Sequence, residues 1–210
     1  MKRSFLKRGL LLSAASATLL SAPAYAANLE ISSATTTAVK TSTANNGAGD
    51  ITIDSNGSIT ITQSGPAVTL DSSNNVNLNG SISNKNTSNA QGVLIDTGTN
   101  TTPVTLTGDF LAISTAPTTI DLSGSGTGKT GIGITGNGTL TGNFNFNSGT
   151  IAVQGNSSTG IGMSPDTTLN GDFTFDGTIV MTPTTANDTS AATGITGIAL
   201  GGDVTGDVNL

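Results

Sequence analysis

Two stretches of the chain, Thr130-Gly131-Ile132-Gly133-Ile134 and Thr159-Gly160-Ile161-Gly162-Met163, decide the fold. Each sets apolar side chains at i and i+2, the period of a strand with one buried face. Eleven residues after Gly131 and Gly160 come Gly142-Asn143-Phe144-Asn145-Phe146 and Gly171-Asp172-Phe173-Thr174-Phe175. Then follow Gly149-Thr150-Ile151 and Gly177-Thr178-Ile179. One unit therefore holds three short strands and recurs after 29 residues. A further copy starts at Gly194-Ile195 or Gly197-Ile198 and reaches Gly206-Asp207-Val208. A weaker earlier copy runs from Gly92-Val93 through Gly108-Asp109-Phe110. Spacings between copies range from about 27 to 39 residues, so loops of different lengths enter between strands.

The same pairing extends outward from these copies. Ile51/Ile53, Ile59/Ile61, Val68/Leu70, Val76/Leu78, Val104/Leu106 and Ile120/Leu122 are all i, i+2 pairs. Between them lie Asp54-Ser55-Asn56-Gly57, Asn79-Gly80 and Gly136-Asn137-Gly138, residues that accept the left-handed backbone of tight turns. A repeat of this length means a solenoid or a propeller. A propeller blade needs four strands, and only three are visible per unit. The pattern predicts an all-β fold, a right-handed three-sided parallel β-helix with one unit per coil. Inward residues then stack on their counterparts: Phe144 on Phe173, Phe146 on Phe175, Ile132 on Ile161.

Composition agrees. Gly, Thr, Ser and Asn make up about half of the 210 residues, aromatics are 3% and charged residues 10%. Helix-forming residues are too scarce for a bundle. The abundance of Thr, Ile and Val with so little charge is unlike a disordered chain. Residues 1–26 read as a cleavable signal peptide. Lys2, Arg3, Lys7 and Arg8 precede the apolar run Gly9 to Leu20, and Ala24-Tyr25-Ala26 supplies the small-x-small cleavage pattern. That apolar run is about a dozen residues, against about 20 for a membrane span. Residues 27–49, Thr-rich and nearly patternless, read as a polar irregular leader or cap, and 50–210 as the β-helix repeats. After cleavage Lys40, Lys85 and Lys129 remain against 13 acidic residues, a formal charge of −10. Such a chain repels nucleic acid and anionic membrane surfaces. It contains no Cys, so no disulfide assists it.

Signal peptide, Thr/Asn/Gly-rich chain and degenerate β-helix repeats such as Gly171-Asp172-Phe173 and Gly177-Thr178-Ile179 together resemble the passenger region of a Gram-negative autotransporter. The resemblance covers roughly Asn28 to Leu210. It implies export to the cell surface, the outer membrane or the extracellular medium, and an outer-membrane β-barrel translocator in a longer product. No barrel pattern of alternating strands with aromatic girdles occurs here. The repeats are expected to continue beyond Leu210, because Asp207-Val208-Asn209-Leu210 falls within a strand pair.

Ser123-Gly124-Ser125-Gly126-Thr127-Gly128-Lys129-Thr130 nearly spells a phosphate-binding loop. It has Ser where the first Gly belongs, and Gly131-Ile132-Gly133-Ile134 follows where a helix is needed. It is expected to be a flexible surface loop between coils. Outside 1–26 the chain has no His, Cys, Arg, Trp or Tyr, which removes Ser-His-Asp and Cys-His nucleophiles and His-based zinc sites. Carboxylates remain. Asp109, Asp172 and Asp207 share the position after the repeat Gly, with Asn143 as a fourth member. Stacking aligns Asp172 with Asp207, a pair that holds calcium, acts as acid and base, or merely suits a turn. The expected role is a surface stalk, adhesin-like or structural and not catalytic, that contacts extracellular ligands or itself. No catalytic, metal or cofactor residue is assigned. The alternative is a secreted polysaccharide-active β-helix using its Asp pair. The stacking register makes one prediction: Phe173→Asp buries a charge among apolar neighbours and unfolds the C-terminal coils. Thermal melting unchanged from the parent overturns the register.

Overall fold

The computed structural model describes residues 28–114, 117–182 and 193–210. The signal-peptide segment, 1–26, lies outside the described residues. The chain is a parallel β-helix, with three sheets running through the stack of coils. The first face is built from Leu29–Ile31, Ile51–Ile53, Val76–Leu78, Phe110–Ala112, Phe144–Phe146, Phe173–Phe175 and Val208–Asn209. The second holds Ala34–Thr35, Ser58–Thr60, Ser81–Ser83, Thr118–Leu122, Gly149–Gln154 and Thr178–Thr182. The third holds Val39–Lys40, Gly65–Leu70, Ala90–Asp96, Thr130–Thr135, Thr159–Met163 and Thr196–Leu200. Each face receives one strand per coil, and every pairing between successive coils is parallel. First-face partners set the coil length, which ranges from 22 residues (Leu29 to Ile51) to 35 (Phe173 to Val208).

Strand alternation turns this register into columns. Phe110, Phe144 and Phe173 lie one above another, with ring centroids 5.1 and 4.6 Å apart, and Phe146 stacks on Phe175 at 5.5 Å. The 4.6 Å step matches the spacing of hydrogen-bonded strands, so the backbone ladder itself brings the rings into contact. The second face stacks Ile59, Ile82, Ile120, Ile151 and Ile179. The third stacks Val68, Val93, Ile132, Ile161 and Ile198. All of these but the partly buried Ile179 and Ile198 are buried, and they form one continuous core along the axis. The last repeat thus aligns through Gly197-Ile198 rather than Gly194-Ile195.

Three features depart from the sequence reading. Residues 27–49 are not irregular where described: Leu29–Ile31, Ala34–Thr35 and Val39–Lys40 each pair with the next coil. Their polarity hides this, because Thr35 stands in a column that is otherwise isoleucine. A short fourth face, Thr105–Leu106, Thr139–Leu140, Thr168–Leu169 and Asp203–Val204, joins the later coils. Each of its strands contributes one inward residue, so no period-two signal marks it. Finally, Val104 is 41% exposed while Leu106 is buried, because Val104 belongs to the edge of an antiparallel hairpin, Gly98–Thr99 with Thr102–Pro103.

The repeated Gly-Ile-Gly-Ile separates two kinds of glycine. A Cβ on Gly131 would collide with the Gly160 carbonyl and the Ile151 side chain, and one on Gly92 with the Gly131 carbonyl and Ile120. These glycines make room for the isoleucine column of the second face. A Cβ on Gly133 would meet nothing closer than Thr130 Cγ2 at 3.5 Å. Gly131→Ala is therefore expected to destabilise the fold by about 1–3 kcal/mol. Gly133→Ala is expected to leave it unchanged or stabilise it by up to about 1 kcal/mol. Urea unfolding compares the two, and equal effects contradict this packing.

Candidate functional site

The Asp and Asn residues that precede each first-face strand lie on one edge of the solenoid. Asn28 Oδ1 accepts the Asp50 N–H (3.1 Å), Asp50 Oδ1 that of Asn75 (2.8 Å), and Asn75 Oδ1 that of Asp109 (2.9 Å). Asp109 Oδ1 accepts the Asn143 N–H (2.6 Å), Asn143 Oδ1 that of Asp172 (3.1 Å), and Asp172 Oδ1 that of Asp207 (3.0 Å). Backbone bonds run the other way: the N–H of Leu29, Ile51, Val76, Phe110, Phe144 and Phe173 each donates to the carbonyl of the Asp or Asn one coil on. At this corner the chain turns into the strand, and the side-chain oxygen replaces the backbone acceptor that a straight ladder would supply. The preceding Gly is part of the device. A Cβ on Gly108, Gly142, Gly171 or Gly206 would strike the carbonyl of the coil below.

The structure therefore brings Asp172 and Asp207 onto adjacent coils, as the repeat implies, and places Asn143 between Asp109 and Asp172. Sequence reading missed Asn28 and Asn75, which lack a preceding Gly, and also Asp50, which follows Gly49 at the end of a stretch read as irregular. The usable signal was an Asp or Asn directly before the first-face apolar pair. Coils rise by about 4.8 Å. Asn at alternate rungs keeps each of Asp50, Asp109 and Asp172 about 10 Å from the next, near the screening length in physiological salt. Asp172 and Asp207 break this alternation. Among the described residues no group of three or more Asp or Glu side chains is placed to hold a metal ion.

The phosphate-loop lookalike is a closed corner between the second and third faces. Lys129 is fully buried, and its Nζ donates to the carbonyls of Leu122 (2.8 Å), Ser123 (3.2 Å) and Gly124 (2.8 Å). A phosphate loop converges amides on an anion; here carbonyls converge on a cation. Most of the loop amides are already engaged. Gly124 N–H donates to Gln154 Oε1, Ser125 N–H to Asn86 Oδ1, Thr127 N–H to Ser88 Oγ and Gly128 N–H to the Asn156 carbonyl. The loop is thus tied to the coils on both sides rather than flexible. Gly124, Gly126 and Gly128 have φ of 81°, 105° and 67°, the left-handed backbone that lets it curl inward.

Burial pushes the Lys129 amine below its usual pKa, and the Asp121 charge opposes the shift. Asp121 forms an ion pair with Lys85 at 2.6 Å. Burial pushes the Asp121 carboxyl up, but hydrogen bonds from Lys85 and Ser123 and the Lys85 charge outweigh it and hold its pKa below the usual range. On the second coil Asp71 also serves a corner. It accepts bonds from the Ser42 N–H, Ser42 Oγ and Thr41 Oγ1, pinning the turn Thr41–Thr43 to the next coil.

Two concavities lie among the described residues. One, about 440 Å³, lies against the first coil, among Leu29, Ile31, Thr35 and Val39. The other, about 210 Å³, is an open groove on the third face, floored by Gly133, Gly162 and Ala199 and walled by Thr130, Thr159 and Ser164. The phenylalanines are not ligand shelves: Phe110, Phe144, Phe146 and Phe173 are fully buried. Comparison with protein-family models, curated proteins and solved structures finds no match to this chain.

The ladder assigns its carboxylates a backbone task that an amide performs equally well. Asp109→Ala is expected to lose about 1 kcal/mol of stability, the worth of one partly exposed hydrogen bond. Asp172→Asn keeps the Oδ1 acceptor and removes the repulsion from Asp207, so its melting temperature stays at or above that of the parent. A clear fall in melting temperature for Asp172→Asn contradicts the ladder.

Proposed function

We propose that this chain is part of the passenger region of an autotransporter-like surface protein. In this reading residues 1–26 direct export. The solenoid stands at the outer membrane or cell surface as an adhesin-like or structural stalk and contacts extracellular ligands without turning over a substrate. A longer product carries the outer-membrane β-barrel translocator. The observation that carries the reading is the register itself: from Leu29 to Asn209 the coils stack in parallel along one axis, with three sheets and one core. Such a repeat is extended by adding coils, each buried by its neighbours, which suits a projecting element. Polar Thr, Ser and Asn side chains on the outward positions, with a strongly acidic balance, keep the rod soluble and favour self-contact only at strand edges.

A second reading, a secreted β-helix acting on polysaccharide, has one observation in its favour: Asp172 and Asp207 lie on adjacent coils. Against it, Asp172 Oδ1 is engaged with the Asp207 N–H, and Asn143 fills the same role one coil earlier. Intact mass and cell fraction of the native gene product, measured in its own host, test the proposal. A product well above 20.7 kDa in the outer-membrane fraction, beginning at Ala27, is the expected result. A soluble product slightly below that mass, in periplasm or medium, removes the stalk. Loss of sugar turnover in Asp172→Asn with Asp207→Asn would then favour the enzyme.

A further inference from the structure

We propose that the carbonyls of Leu122, Ser123 and Gly124 form a binding site for a monovalent cation of the ammonium class, and that Lys129 is its tethered occupant, holding the corner loop closed. An ammonium has three N–H donors and no acceptor. Here each of the three has a carbonyl oxygen, at 2.8, 3.2 and 2.8 Å. The group is fully buried, and among the described residues no carboxylate is paired with it: the nearby Asp121 makes its ion pair with Lys85. The charge is therefore held chiefly by carbonyl dipoles, as an ion is held in a carbonyl-lined site.

The site is also preformed. Left-handed Gly124, Gly126 and Gly128 set the curl of the backbone. Asn86 and Ser88 on the preceding coil, and Gln154 and Asn156 on the following one, hold the loop amides without any help from Lys129. Removing the amine leaves a carbonyl-lined vacancy inside a tied loop; the Ser123 carbonyl keeps the Asn86 N–H (3.1 Å), but the acceptors that have lost the amine then favour opening to water.

The test uses the full chain carrying Lys129→Ala. Propylammonium replaces the missing atoms, since the alanine methyl retains Cβ. Tetramethylammonium at equal concentration carries the same charge with no N–H. Proteinase K cleavage within Ser123–Gly128 reports loop opening. In tetramethylammonium the variant is expected to be cleaved about ten-fold faster than the parent, the factor corresponding to one lost charge-assisted hydrogen bond. Propylammonium is expected to restore slow cleavage. Cleavage no faster than the parent, or equal cleavage in the two salts, overturns the proposal. A measurement on the parent protein covers a variant that fails to fold. Under native acetylation Lys40 and Lys85 are expected to react at least about ten-fold faster than Lys129, whose opening is set by the same lost bonds. Equal rates for Lys85 and Lys129 overturn the proposal.

Discussion

Parallel pairing between successive coils is the constraint on which everything else depends. Once Phe144 pairs with Phe173 and Ile132 with Ile161, each residue sits over its equivalent one strand spacing away. A side chain can then be accepted only if it packs against something like itself. Phenylalanine rings stack nearly parallel, 6° apart for Phe144 and Phe173, and isoleucines of the second face lean into a column of missing Cβ atoms on the third. Each coil is thin and buries little by itself. The stack is stable because those small burials add along the axis while the backbone ladder satisfies the strand amides.

The corners are where this constraint is hardest to meet, because the backbone leaves the ladder there. Polar side chains take over. The Asn/Asp ladder runs from Asn28 to Asp207 and supplies one oxygen per coil to an amide that has no straight-ladder partner. Thr97 and Thr167 act likewise at another corner, each buried and donating to a carbonyl of the preceding or following coil. Lys129 is the cationic version, donating to carbonyls as these threonines do, where the Asn/Asp ladder accepts from amides. One rule covers these cases: a backbone group that turns away from its neighbour is met by a side chain of opposite hydrogen-bonding sense.

This rule also accounts for the features that look most like chemistry. The recurrent Gly-Asp reads as a possible carboxylate pair, and the structure gives it a corner bond that Asn143 makes equally well. The Gly-rich run before Lys129 reads as a phosphate loop with one wrong residue, and the structure shows most of its amides spent and carbonyls of Leu122, Ser123 and Gly124 turned to the Lys129 amine. The regularity that makes such motifs conspicuous is the regularity of the stack. A repeated fold repeats its corner residues for structural reasons, so recurrence alone says little about reaction chemistry.

Much of the architecture was legible in the sequence because period two and the 29-residue recurrence are both local signals. They identify strands, their inward residues and the pairing of Phe144 with Phe173 directly. The first coil escaped notice because Thr35 replaces isoleucine, and the fourth face because two-residue strands carry no periodicity. What only the tertiary structure decided is how polar groups separated by 22 to 35 residues meet. That Asp109 serves the Asn143 amide, and that Lys129 turns inward to three carbonyls, depends on loop paths and coil stacking. Sequence sets which residues can donate or accept; the distance between them exists only once the chain has wound around the axis.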